Sequence, residues 1–140
     1  MVIATNNANL GKAWSQYYLG TQTEVKGEHG SAKEAVGWYE KAAGQGHPQA
    51  CLDLANIYLK EEFGMRDLPK AEAYAVKAIG LHTAYTLIAN ERLVDIAREF
   101  HLSDDNGSAE RILSRLISEK SDSNILSSAG FLLLDMQSNS

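Results

Sequence analysis

Lys33-Glu34-Ala35-Val36-Gly37-Trp38-Tyr39-Glu40-Lys41-Ala42 and Lys70-Ala71-Glu72-Ala73-Tyr74-Ala75-Val76-Lys77-Ala78 are two versions of one pattern. Ala35 falls on Ala71, Trp38 on Tyr74, Lys41 on Lys77 and Ala42 on Ala78, at an offset of 36. The segment between them repeats as well. Gly46-His47-Pro48-Gln49-Ala50 lies over Gly80-Leu81-His82-Thr83-Ala84 at an offset of 34, with Leu54 over Ile88 and Ala55 over Ala89. A third, worn copy reads Ala109-x-x-Ile112-x-x-Arg115-Leu116. A period in the mid-thirties with two helices per unit is the mark of an α-solenoid, because one hairpin alone leaves an apolar face wet. The matched alanines let helices approach closely, and the aromatics fill the space between pairs.

Outward from these repeats the helix signals predict seven helices and no strand. Ser31 and Glu34 form a capping box for a helix running to about residue 43, which Gly44-Gln45-Gly46 stops. His47-Pro48 opens the next, with proline where a missing N–H is harmless. Asp67 caps a fourth helix that Gly80 closes. A longer helix is expected from about Thr83 to Phe100, on the helical spacing of Leu87, Ile88, Leu93, Val94, Ile96 and Ala97. Asp104-Asp105-Asn106-Gly107-Ser108 reads as a loop before a helix over 109–119, and the last helix covers about 123–136. A first helix near residues 8–19 completes the set. The fold class is therefore all-α, a solenoid of stacked antiparallel helix pairs in one domain over 1–140. Its clear repeats span about 31–89, and a degenerate capping unit follows over about 90–137.

Residues 50–78 resemble one Sel1-like repeat, a relative of the tetratricopeptide repeat. They read Ala50-x-x-x-Leu54-Ala55-x-x-Tyr58, a loop, then Asp67-x-x-Lys70-Ala71-x-x-Tyr74-x-x-Lys77-Ala78. Residues 33–50 are similar to the most recognisable stretch of that family. Ala55 replaces the family's usual helix glycine, and Gly64-Met65 is a contracted form of its loop. In the first repeat the family's Leu-Gly-x-x-Tyr corresponds either to Leu10-Gly11-x-x-Trp14 or to Tyr17-Tyr18, and both registers stay open. The resemblance implies a bacterial protein that assembles complexes or takes part in signalling through protein contacts.

Composition sets the outer limits. The 140 residues suffice for one buried core, and 44% hydrophobic with 22% charged residues is ordinary for a globule. The net charge of −5 argues against nucleic acid or an anionic membrane as partner. Cys51 is the single cysteine, which fits a reducing compartment. The N-terminus shows no basic n-region or long apolar stretch, and Phe131-Leu132-Leu133-Leu134 is too short to cross a bilayer. The expectation is a cytoplasmic chain.

Catalytic and metal chemistry find no support in the spacing. His29, His47, His82 and His101 include no i, i+4 pair. In Asp104-Asp105-Asn106-Gly107 a calcium loop would need ligands at Leu102 and Leu113, which have none to give. No nucleophile elbow or phosphate loop occurs, and nothing beside Cys51 would activate it. The expectation is no cofactor, no metal and no enzyme activity.

What remains is surface. In related helical arrays the first helix of each pair lines a concave groove. That geometry points Gln49, Leu52, Asn56 and Lys60 into the groove, with Thr83, Thr86 and Asn90 beside them, able to bind an extended backbone. Plain solvation would explain the same polarity. Trp14, Tyr17 and Tyr18 crowd a terminal helix that has one neighbour. In the last helix Phe131 and Leu134 fall opposite the stripe of Ile125, Leu126, Ala129, Leu132, Leu133 and Met136. Those two offer a contact for a partner or for a homodimer. The expected function is a protein–protein interaction module, an adaptor or sequestering protein for one partner. One version is an immunity-type protein that neutralises a toxin; the alternative is a small-molecule-binding or hydrolytic Sel1-like protein.

Overall fold

The computed structural model describes residues 5–25, 31–81, 83–119 and 122–138. Among the described residues seven helices follow one another: α1 (Thr5–Val25), α2 (Ser31–Gly44), α3 (Pro48–Leu59), α4 (Leu68–Gly80), α5 (Thr86–Leu102), α6 (Asn106–Ser118) and α7 (Ser123–Ser138). A short 3-10 turn, Glu61–Phe63, links α3 towards α4, and no strand occurs among the described residues. Each helix packs on the next in sequence, and α3 also meets α5 while α5 meets α7. The odd-numbered helices thus form one layer and α2, α4 and α6 a second. This is the solenoid-like arrangement expected from the repeats.

Local chemistry sets the boundaries. The amide of Gly46 donates to Ala43 O (3.0 Å) and that of His47 to Ala42 O (3.2 Å), around a left-handed Gly46 with φ 84°. This paired closure uses carbonyls that the end of α2 leaves over. His47 then caps α3 with its ring: Nδ1 accepts from the Ala50 amide at 3.1 Å, with Pro48 at the first helical turn. Asp67 caps α4 by accepting from Lys70 N at 3.1 Å. Asp105 caps α6 through Ser108 N (3.1 Å) and Ser108 Oγ (2.8 Å), and this pulls its carboxyl below the usual range. The capping pair expected at Ser31 and Glu34 needs the Ser31 side chain, which lies outside what the structure describes, as does the side chain of Leu10.

The core is a continuous stripe of small and branched residues. Ala35, Tyr39 and Ala42 of α2, Ala71, Ala75 and Ala78 of α4, and Ala109, Leu113 and Leu116 of α6 are fully buried. They interleave with Leu54, Ile57, Leu93, Ile96 and Ala129 of the odd layer. Each buried leucine or isoleucine contributes roughly 1.5–3 kcal/mol by leaving water.

α1 outruns the expected residues 8–19 at both ends, and three further boundaries shift. Gly80 stays inside α4, and Leu81 closes that helix in a right-handed conformation. The helix expected from Thr83 starts at Thr86 instead. Thr83 is held in the preceding turn, where its Oγ1 accepts from Tyr85 N at 3.1 Å and its carbonyl accepts from Thr86 Oγ1 at 2.9 Å. Asn106-Gly107-Ser108 is the first turn of α6 rather than loop, because Asp105 supplies the cap ahead of it.

Candidate functional site

Three open cavities run into one another along the odd-numbered layer. The first, about 350 Å³, is lined by Tyr17 of α1, by Gln49, Leu52, Asp53, Asn56 of α3 with Lys60 beyond it, and by Tyr85, Ile88 and Arg92 at α5. Lys60 and Arg92 also border the second, about 500 Å³, with Arg66, Asp95, Arg98 and Glu99. Arg92, Asp95 and Arg98 continue into a third of about 280 Å³, which reaches Asn124, Ile125 and Ser128 of α7. Shared walls make these one trough crossing α1, α3, α5 and α7.

Five of the residues expected at a binding surface meet here: Tyr17, Gln49, Leu52, Asn56 and Lys60. Leu52 is buried, so it forms floor rather than rim. Thr86 and Asn90 do not line the trough. The reason is phase: the buried pattern of α3 recurs on α5 at an offset of 39, not 34. Ala50 corresponds to Ala89, Leu54 to Leu93, Ile57 to Ile96 and Tyr58 to Ala97. The five added residues turn the helix by over a third of a circle, which brings Ile88 and Arg92 to the trough. Thr86 turns to Thr83 instead, and the Asn90 side-chain oxygen is buried. Tyr85, Ile88 and Arg92 escape the sequence pattern for that reason, since the offset of 34 sets Ile88 over the buried Leu54.

The electrostatics differ along the trough. Towards α7, cations and acids pair: Arg66 with Glu61 (2.6 Å) and Glu99 (2.9 Å), and Asp95 with Arg92 (2.8 Å) and Arg98 (3.1 Å). Towards α1, aromatics and carboxylates prevail. Burial pushes the Asp53 carboxyl above its usual range; the Tyr17 hydroxyl draws it back down in part, and Glu24 adds a smaller upward push. Burial likewise raises Tyr17, helped by the neighbouring Asp53. Tyr39, raised first by burial and then by Glu24, donates its hydroxyl to Glu24.

His47 sits behind this end of the trough. Tyr17 stacks on its ring with centroids 4.5 Å apart, and Trp14 meets it edge-on at 4.5 Å. Burial lowers the His47 pKa. Trp14 nevertheless remains 56% exposed and Tyr18 61%. At the other end Phe131 is 74% exposed and Leu134 61%, on the side of α7 away from buried Ile125, Ala129 and Met136.

Among the described residues no cluster of three or more His, Cys, Asp or Glu could hold a metal ion, and no helix is long and apolar enough to cross a membrane. His29 and His82 lie outside the described residues. Cys51 is buried in α3, and burial raises its thiol pKa. Set against known protein families, curated proteins and solved structures, the chain finds no match.

Proposed function

We propose that the chain is a protein–protein interaction module, an adaptor or sequestering protein that holds an extended segment of one partner in the trough. The observation that carries this reading is the convergence of Gln49, Asn56, Tyr17 and Leu52 on one open, elongated cavity. Side-chain amides there can pair with a peptide backbone, and the apolar floor takes alternate side chains. The resemblance of residues 33–78 to Sel1-like repeats supports the same reading. An immunity-type role, neutralising a toxin encoded nearby, is the specific version; no toxin gene in the neighbourhood would sink it.

A photo-crosslinking amino acid placed at Gln49 or Asn56, and separately at exposed Glu110 of α6, tests the site. Capture of one partner from the two trough positions and not from Glu110 is the expected result. Equal capture from all three would remove the trough from the account.

A second reading, self-association through α7, is favoured by the exposed Phe131 and Leu134. The small-molecule alternative draws on the half-buried Asp53 inside a cavity.

A further inference from the structure

Among the described residues, Asp53 forms no ion pair with the cations that line the trough. Arg92 is engaged by Asp95 at 2.8 Å, Lys60 faces Glu62 at 3.8 Å, and Arg66 bridges Glu61 and Glu99. The charged group that acts on Asp53 is instead another acid, Glu24, and its polar neighbour is the Tyr17 hydroxyl. A half-buried carboxylate in such a setting is poorly solvated and poorly compensated. Around it the cavity offers two tyrosine rings, Tyr17 and Tyr85, and the aliphatic surfaces of Leu52 and Ile88.

We propose that this end of the trough is a receptor for one basic side chain, a lysine or arginine carried by the bound segment of the partner. The inference rests on the trough-binding reading above and names the chemistry of the occupant. An ammonium or guanidinium supplies Asp53 with a charge-assisted hydrogen bond, and the Tyr85 ring adds a surface that attracts cations. The methylene stem covers Leu52 and Ile88. The net charge of −5 steers a basic partner towards the chain. An acidic side chain placed beside Asp53 would be repelled by it.

The test uses the full chain and short alanine- and threonine-based peptides, acetylated and amidated, that differ at one central position: Lys, Arg, norleucine or Glu. Fluorescence anisotropy should rank Lys and Arg about tenfold tighter than norleucine, as expected for a hydrogen bond to a charged group, with Glu weakest. Asp53→Asn, which keeps the shape, should erase the preference for Lys and Arg over norleucine. Tyr85→Leu should reduce the preference without erasing it. Equal binding of the Lys and norleucine peptides by the unmodified chain overturns the inference while the trough reading stands, and this comparison needs no variant. A preference for Glu, or a Lys preference intact in Asp53→Asn, also overturns it. Failure of every peptide to bind overturns both readings.

Discussion

Gly20 shows how a single missing atom fixes the seating of α1. A β-carbon there would come within 2.5 Å of Cε1 of Tyr39, a ring that is fully buried and tethered through its hydroxyl to Glu24. Gly20→Ala should therefore destabilise the chain by about 1–2 kcal/mol, overpacking outweighing the helix-propensity gain. Gly37 of α2 has no neighbour within 4 Å of that position, so Gly37→Ala should stabilise by up to ~1 kcal/mol. Urea unfolding of the pair checks the opposite signs. Protonation acts at the same scale. His47 is neutral in the fold, with a pKa below its ordinary 6.5. Between those two values the unfolded chain binds the extra proton, so the stability that neutral His47 contributes is present above about 6.5 and lost as pH falls. The ordinary carboxylate range of Asp53 is exceeded in the fold, which reverses the sign: its contribution is full at low pH and disappears as pH rises through the raised value. Asp53→Asn should thus raise the urea midpoint at pH 7 and change it less near pH 4, whereas His47→Asn should flatten the loss between pH 7.5 and 5.5. A residue that weakens the fold at neutral pH and lines a cavity is what a binding role would retain.

Helices obey signals of different range, and this decides which of them can be read from the chain. α4 and α6 begin at carboxylate caps, Asp67 and Asp105, whose hydrogen bonds reach only three residues ahead. Such local chemistry is visible in the residues themselves. Asp67→Ala should cost about 1 kcal/mol, seen as a lower thermal midpoint. The start of α5 is harder. Gly80, Thr83 and Ala84 imitate the stop and start seen at Gly46–Ala50, yet α4 runs to Gly80 and α5 begins only at Thr86. The match at an offset of 34 was a likeness of loop residues, while packing keeps a spacing of 39 on the buried face. One face of the trough was consequently legible, in Gln49, Leu52, Asn56 and Lys60. The opposing face, Tyr85, Ile88 and Arg92, was not, since helix phase after a turn depends on tertiary packing. Asp53 escaped for another reason: its character comes from Glu24 and Tyr17, 29 and 36 positions away.

Stacked repeats contact only their neighbours, so stability is shared along the array rather than pooled in one core. Arg111 clasps Glu72 through both guanidinium nitrogens, tying α6 to α4, and Tyr58 stacks on Tyr74 between α3 and α4. Among its described side chains, α1 meets the rest through polar or aromatic pairs at Gln16–Gln45, Glu24–Tyr39 and Tyr17–His47, beside the buried Ala13. Amide hydrogen exchange should accordingly find α1 opening more readily than α3 to α6. The exposed pair on α7 belongs to this scale as well. If Phe131 and Leu134 join two copies, light scattering should show a mass near twice that of one chain, and Phe131→Asp with Leu134→Asp should halve it. An unchanged mass would count against that interface. The seat of Trp14 on His47 has an optical consequence. Both tryptophans, Trp14 and Trp38, lie on α1 and α2, so indole emission watches one end of the stack while circular dichroism reports on all of it. An imidazolium quenches a neighbouring indole, so acid should dim Trp14 as His47 takes up its proton, ahead of any loss of helix signal. The chain carries its own fluorophore and quencher at the end where the proposed receptor lies.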